Sequence, residues 1–191
     1  MGRLIVSMNL SLDGYIEGHG QDDGSWVSID DEVHGAFNEL AAGADAFLYG
    51  RKVYEVMIPY WPDAAADEGK PAYEREYGRM WIATPKVVVS KSLTELSWHT
   101  RVVSSDVPAE IARLKNSAER YVLCYGGSQL VTALQEYNLV DEYALFIHPA
   151  ALGAGVPFFR QAIRVRCLNI RQFRQGAIGL RYASIGPSAD A

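Results

Sequence analysis

Residues 3–16 open with an apolar run and continue through Asn9, Leu10, Ser11 and Leu12 to Asp13 and Gly14. That pattern predicts a buried central strand, then a turn or bulge at Asp13-Gly14 that aims the chain away from the sheet. Residues 18–25, rich in Gly, Asp and Gln, read as a loop. Asp30 or Asp31 then caps a helix reaching about Ala42, with Val33, Phe37, Leu40 and Ala41 as its apolar stripe and Gly43 as its stop. Residues 44–50 read as a strand and 51–57 as a short helix. Prolines, Trp61 and the acidic stretch 63–68 predict a loop over 59–71. A second short helix is expected at 73–80, with strands at 86–90 and 101–104. Asp106 is placed to cap a helix that turns Ile111 and Leu114 inward. A strand at 122–125 leads through Gly126 and Gly127 into a helix over 128–137, with Ser128 as N-cap, and a strand follows at 142–148.

The end of the chain changes character. Val165, Cys167 and Asn169 alternate with Arg164, Arg166, Leu168 and Ile170, and residues 178–185 behave similarly, with Gln175-Gly176 between them. This predicts a β-hairpin, antiparallel in character, after an α/β body. The whole reads as a single α/β domain, residues 1–191, with a mixed sheet.

Of the 191 residues, 49% are hydrophobic and 21% charged, as in ordinary globular chains. The net charge of -5 argues against nucleic acid as a general partner, since a polyanion needs a basic face. No apolar stretch reaches the length of a membrane span, and the N-terminus carries neither a signal peptide nor a myristoylation motif. Cys124 and Cys167 read as reduced core residues, so a cytoplasmic location is the default.

Candidate chemistry concentrates at helix starts. Backbone N–H groups there have no intrahelical partner and favour phosphate, and glycines let a ligand approach closely. Gly126-Gly127 after a strand, Gly50 followed by Arg51 and Lys52 after another, and Ser90-Lys91-Ser92 at a third strand end form a set of anion-ready turns. Neither G-x-G-x-x-G nor a Walker A lysine is present, and G-x-S-x-G is absent. His19, His34, His99 and His148 lack metal-ligand spacing, so no local metal site is expected; His148 reads as a packed strand-end residue.

Four stretches in order carry a resemblance: LIVSMNLSLDGYI, FLYGRKVYEVM, VVVSKSL and YVLCYGGSQLVTALQEYNLVDEYALFIHPAALGAG. With the terminal hairpin, the chain resembles the dihydrofolate-reductase-like fold, and within it single-domain relatives of the riboflavin-biosynthesis reductase C-terminal domain. The resemblance implies a three-layer α/β fold with a mostly parallel central sheet and a C-terminal antiparallel hairpin. It also implies NADPH as cofactor, an NADPH-dependent reductase acting on a small pyrimidine- or pterin-like substrate, and a homodimer through terminal strands.

Carried over by residue, it implies that Gly126, Gly127, Ser128 and Gln129 meet the pyrophosphate. Gly50, Arg51 and Lys52 open the second helix, and Arg51 with Ser90, Lys91 and Ser92 meets the phosphate specific to NADPH. Asn9 and Leu10 fall beside the nicotinamide. Asp31 falls where dihydrofolate reductases hold their substrate-binding acid, with a first-turn role as the alternative. Trp26, Tyr54 and Trp61 are candidates for a flat aromatic wall. The chain departs from the riboflavin reductases at Tyr15, where they have lysine, in residues 59–63, and in lacking a zinc deaminase domain. Two other functions stay open: a non-catalytic NADPH-binding module and a true dihydrofolate reductase.

Overall fold

The computed structural model describes residues 2–20, 24–94 and 97–187, so part of the expected loop at 18–25 lies outside the described residues. The first strand, β1 (Arg3–Leu10), sends Leu4 and Val6 into one core cluster and Ile5 into another. A strand covered on both faces reads as a continuous apolar run, because alternate side chains all meet protein. The chain continues through β2 (Tyr15–Gly18), α1 (Asp31–Ala42), β3 (Ala46–Gly50), α2 (Arg51–Ala66), α3 (Ala72–Ala83), β4 (Lys86–Val89) and β5 (Thr100–Val103). Then come α4 (Val107–Ser117), β6 (Tyr121–Cys124), α5 (Ser128–Glu136), β7 (Glu142–Ile147), β8 (Gly155–Pro157), β9 (Ile163–Gln172) and β10 (Ile178–Pro187).

An eight-stranded sheet runs in the order β5-β4-β3-β6-β1-β7-β10-β9. The strands from β5 to β7 are parallel, while β10 and β9 join antiparallel as the expected hairpin. On one face, Ile5, Phe47, Tyr49, Val88 and Leu123 pack with Ala41 of α1, Tyr54 of α2, and Tyr77 and Trp81 of α3. On the other, Leu4, Val6, Leu48, Val87 and Val122 pack with Ile111 of α4 and with Leu130 and Leu134 of α5. The result is the expected three-layer arrangement. The turn at Asp13-Gly14 also forms: Gly14 has φ +84°, and the Asp13 carboxylate accepts from the backbone N–H groups of Leu152 and Gly153. Those bonds, led by one from the Ser11 hydroxyl, hold its carboxyl down at about 2.

The helix starts resolve differently from their sequence patterns. Asp30 caps α1, accepting from the Val33 N–H at 2.9 Å, and Asp31 is the first helical residue. Asp106 precedes α4 but sits at φ +46° and makes no side-chain cap bond. A capping side chain reaches the N2 or N3 amide from an extended N-cap backbone, which the left-handed conformation of Asp106 does not provide. Ser128 is likewise not the cap of α5. Gly127 takes the N-cap position, which places Ser128 inside the first turn.

The loop expected over 59–71 is mostly helix, for α2 runs on through Pro59 and Pro62 to Ala66. Each proline forfeits an amide donor and crowds the preceding turn, a local cost that packing offsets. Tyr54 and Ala64 are buried, and Gly78 of α3 meets α2 backbone to backbone. A Cβ on Gly78 would lie 2.6 Å from the Trp61 carbonyl oxygen and 2.9 Å from the Ala65 Cβ. Tertiary contact, not local propensity, sets this helix.

Cys124 is buried as expected, whereas Cys167 is exposed. The reason is its strand. β9 is the outermost strand of the sheet, and its side chains are exposed almost throughout, including Val165, Leu168 and Ile170. Its alternation therefore does not mark a buried face.

Candidate functional site

Three helices begin at one cleft. Gly50 precedes α2, Asp106 precedes α4 and Gly127 precedes α5, and none of the three helix starts has a side-chain cap bond. Their first turns line a cleft of about 890 Å³ between the ends of the parallel strands. Unpaired N–H groups and the positive ends of three helix dipoles make this a place for negative charge. Arg51, Lys52 and Lys91 line the same cleft, concentrating cationic charge in a chain that is acidic overall.

The strand-end turns are tied together. The Gly50 N–H donates to the Gly126 carbonyl at 2.5 Å, locking the start of α2 to the segment that opens α5. Side-chain bulk is excluded here, since a Cβ on Gly50 would lie 3.1 Å from the Gly127 nitrogen. The Ser90 hydroxyl accepts from the N–H groups of Ser92 and Leu93, which orders the loop that presents Lys91 and Ser92. The Arg51 guanidinium is held by Glu55, with a nitrogen-to-oxygen distance of 2.8 Å; both side chains are close to half exposed. An exposed pair of this kind is weak, so a stronger anion can recruit the arginine.

A second cavity, of about 380 Å³, is lined by Tyr125, next in the chain to the Gly126-Gly127 segment. Met8 joins the two: it lines this cavity, and its Cε lies 2.8 Å from where a Gly126 Cβ would stand. The cavity is walled by aromatic rings, with Trp61 and Tyr77 at 4.3 Å between centroids and His34 and Tyr73 at 4.7 Å. The Trp61 indole N–H donates to the Met57 sulfur at 2.8 Å, fixing the ring. Asn9 also lines the cavity, and its carboxamide oxygen accepts from His148 Nε2 at 3.0 Å. His148 Nδ1 accepts from the Ser28 N–H, so the proton sits on Nε2 and Asn9 has its amide N–H groups to offer the cavity. His34 is buried, and burial lowers its pKa against the opposing pull of Glu74, keeping the ring neutral.

The structure gathers most of the sequence candidates and separates a few. Gly50, Arg51, Lys52, Ser90, Lys91, Ser92, Gly127, Ser128 and Gln129 line the large cleft; Gly126 adjoins it through its bond to Gly50. Asn9 and Trp61 line the aromatic cavity. Leu10 is buried in the sheet, where its carbonyl accepts from the His148 N–H. Tyr54 is a core residue, donating to Thr100 Oγ1 at 3.2 Å. Trp26 lies edge-on to His148, with centroids 5.9 Å apart, and lines neither cavity. Asp31 is exposed at the start of α1 and pairs with Arg174 at 3.3 Å, outside both cavities.

Sequence reasoning missed His34, Tyr60, Tyr73, Tyr77 and Tyr125 in the aromatic wall, and the α4 start in the cleft. The spacings Met57/Trp61 and Tyr73/Tyr77 put each pair on one helix face and were the available signal. Among the described residues no group of His, Cys, Asp and Glu is placed to hold a metal ion, and no helix is long and apolar enough to cross a membrane.

Fold and site together define an α/β protein of the dihydrofolate-reductase-like type, with a phosphate-ready cleft and an aromatic cavity linked through residues 125–127. The chain belongs to the RibD C-terminal domain family, which it matches over residues 3–178. It is 30% identical over 184 residues to the uncharacterized protein YyaP of Bacillus subtilis, covering 94% of each chain. It is 24% identical to the uncharacterized protein YwjB of the same organism. A putative riboflavin biosynthesis protein from a Shewanella species shares the fold, with a TM-score of 0.70, 22% identity, and coverage of 96% of this chain and 99% of that one. So does RibD of Acinetobacter baumannii, with a TM-score of 0.67 and 16% identity; this chain covers 58% of it.

Proposed function

We propose that the protein is an NADPH-dependent reductase that delivers hydride to a small heterocyclic substrate of pyrimidine or pterin type. The observation that carries this reading is the meeting of three uncapped helix starts and three cations in a cleft that adjoins an aromatic cavity. The N–H groups that open α5 and α2 would hold the pyrophosphate, and Arg51 and Lys91 the additional phosphate. Asn9 lines the aromatic cavity and Gly127 the cleft, and the nicotinamide would lie between them. NADPH, when bound, supplies the hydride. The chain's part is to orient two flat rings face to face and to keep water out. The printed names of two structural neighbours fit this reading: a pyrimidine reductase-like protein from Corynebacterium diphtheriae, and a Thermotoga maritima deaminase and 5-amino-6-(5-phosphoribosylamino)uracil reductase.

Titration with NADPH, followed by the cofactor's fluorescence, is expected to saturate in the micromolar range. Arg51→Ala is expected to weaken NADPH by roughly ten- to a hundredfold, the worth of one charge-assisted bond to phosphate, and NADH far less. Equal weakening of both cofactors would remove Arg51 from the phosphate site; no saturable binding would remove the cofactor.

Two further parts of this reading are a homodimer and a cytoplasmic setting. The exposed outer strand β9, with apolar Val165, Leu168 and Ile170, is the kind of edge that pairs with a second copy. Sedimentation over a range of concentrations should show a dimer, and a strictly monomeric species would refute it. Both cysteines are free thiols, which suits a reducing compartment.

A further inference from the structure

His148 stands where three segments meet, and both nitrogens of its buried ring are engaged. The register of β1 against β7 pairs Asn9 with Phe146, and His148, two residues further on, turns to the same face. Its Nε2 lies 3.0 Å from Asn9 Oδ1, and its Nδ1 accepts from the Ser28 N–H at 3.2 Å. Trp26 closes over the ring edge-on. Burial lowers the pKa of His148, so the imidazole is neutral.

A neutral imidazole has one donor and one acceptor, and a carboxamide can present either edge, so each could turn over. The Ser28 main-chain N–H cannot, because it only donates. Ser28 is also held without help from His148, since its hydroxyl donates to Gln175 Oε1 at 2.9 Å in the turn between β9 and β10. Polarity therefore passes in one direction: Nδ1 accepts, Nε2 carries the proton, and Asn9 meets it with oxygen. That leaves Asn9 Nδ2 facing away from the histidine. Asn9 lines the aromatic cavity, and among the described residues nothing in the protein accepts from its Nδ2. An apolar side chain would fill the place of His148 without the cost of stripping water from an imidazole, so packing alone does not account for this residue.

We propose that His148 is a positioning residue: its Nε2 proton fixes the Asn9 side chain as a donor, and the Asn9 amide donates to the carboxamide oxygen of the nicotinamide. This rests on the reading of the cleft as the cofactor site and adds what holds the reactive end of the cofactor. Without the Nε2 proton the Asn9 carboxamide is free to turn over, and in the turned state its oxygen faces the carbonyl oxygen of the ligand and repels it. What the histidine contributes is orientation, because a nicotinamide pinned through its carboxamide cannot swing out of the plane from which hydride leaves.

The test is calorimetric titration of the full chain with NADPH, with adenosine 2′,5′-bisphosphate, which lacks the nicotinamide, and with the acetylpyridine analogue of NADPH, which keeps the carbonyl oxygen and lacks the amide N–H groups. Asparagine places its amide at the depth of Nδ1 and glutamine at that of Nε2, so the two substitutions separate the roles. His148→Asn keeps an acceptor for Ser28 and loses the donor to Asn9; it should weaken NADPH by about tenfold. His148→Gln keeps the donor to Asn9 and should stay within about threefold of the wild type. Asn9→Asp still accepts from His148 but has no N–H to give, and should weaken NADPH and the acetylpyridine analogue alike by tenfold or more. All three variants should bind the bisphosphate within about twofold of the wild type, which also shows that they fold. NMR of the imidazole nitrogens, with His148→Gln identifying the signal, should find the proton of His148 on Nε2. The proposal is overturned if the proton sits on Nδ1, if His148→Asn and His148→Gln weaken NADPH equally, if His148→Asn or Asn9→Asp leaves NADPH unchanged, or if the bisphosphate weakens as much as NADPH. It is also overturned if the acetylpyridine analogue binds Asn9→Asp as well as the wild type. A wild type that binds the bisphosphate and NADPH while the variants fail these outcomes removes the role of His148 alone; a wild type that binds neither removes the cofactor reading with it.

Discussion

Trp81→Ala is expected to lower the folding stability by about 4 kcal/mol, the cost of emptying a large aromatic site that cannot collapse. Trp81 is 0% exposed and sits where α3 presses on the sheet. Its indole N–H donates to the Tyr49 hydroxyl at 3.1 Å, its ring lies over that of Tyr54, and the Lys86 ammonium stands 4.3 Å from its centroid. Truncation therefore removes a packed ring, orphans a buried hydroxyl and strips a cation of its π face. Urea unfolding followed by circular dichroism measures the change. A loss below about 2 kcal/mol would mean that this half of the core is far looser than its burial indicates. The effect should extend to function, because α3 also carries Tyr73 and Tyr77 into the aromatic cavity.

The second large effect is a pH dependence centred on Lys86. Its side chain is 1% exposed, and its ammonium donates to the Thr84 and Trp98 carbonyls at 2.7 and 2.9 Å, with no carboxylate paired to it among the described residues. Burial pushes its pKa down to about 8 from an ordinary 10.5. Below pH 8 both folded and unfolded chains hold the proton, and the penalty is constant. Between 8 and 10.5 the unfolded chain binds more protons than the folded one, so this group raises stability as pH rises, by up to about 3 kcal/mol in all. Other groups work in the opposite sense. Burial holds Cys124 up at about 12, and raises Tyr49, Tyr77 and Tyr125 well above the usual tyrosine range. They lose stability as the solution becomes alkaline, because the unfolded chain releases those protons first. The measurement is therefore a difference: the stability of the wild type minus that of Lys86→Met, by urea unfolding across this window. The difference should climb toward higher pH, and a flat difference would show that the amine is not desolvated.

Much of the fold was legible because its signals are local. Ile5 between Leu4 and Val6 marks a strand covered on both faces, Asp30 followed three residues later by the Val33 amide marks a helix start, and Gly176 at φ +91° marks the hairpin turn. The cleft was legible for the same reason. Gly50-Arg51-Lys52, Ser90-Lys91-Ser92 and Gly126-Gly127 are each short, contiguous and placed at a strand end. What failed were inferences from one residue to a nonlocal outcome. Pro59 and Pro62 argue for a loop until Gly78 brings α3 against the same segment. Cys167 sits in an apolar alternation that only a covering layer would bury, and β9 has none. Asp31 and Tyr54 were plausible site residues by position, yet one turned to solvent and the other into the core.

The sequence by itself determined the strand-and-helix order, the family and the phosphate-ready turns, since each is written in adjacent residues and in the stereochemistry of glycine and of helix ends. Only the tertiary structure decided that the start of α4 joins those turns, and that His34, Trp61, Tyr73, Tyr77 and Tyr125 enclose one cavity. These side chains come from three helices and a strand end, far apart along the chain. Their meeting depends on how closely the helices pack, a property of the whole core that no single window of residues contains.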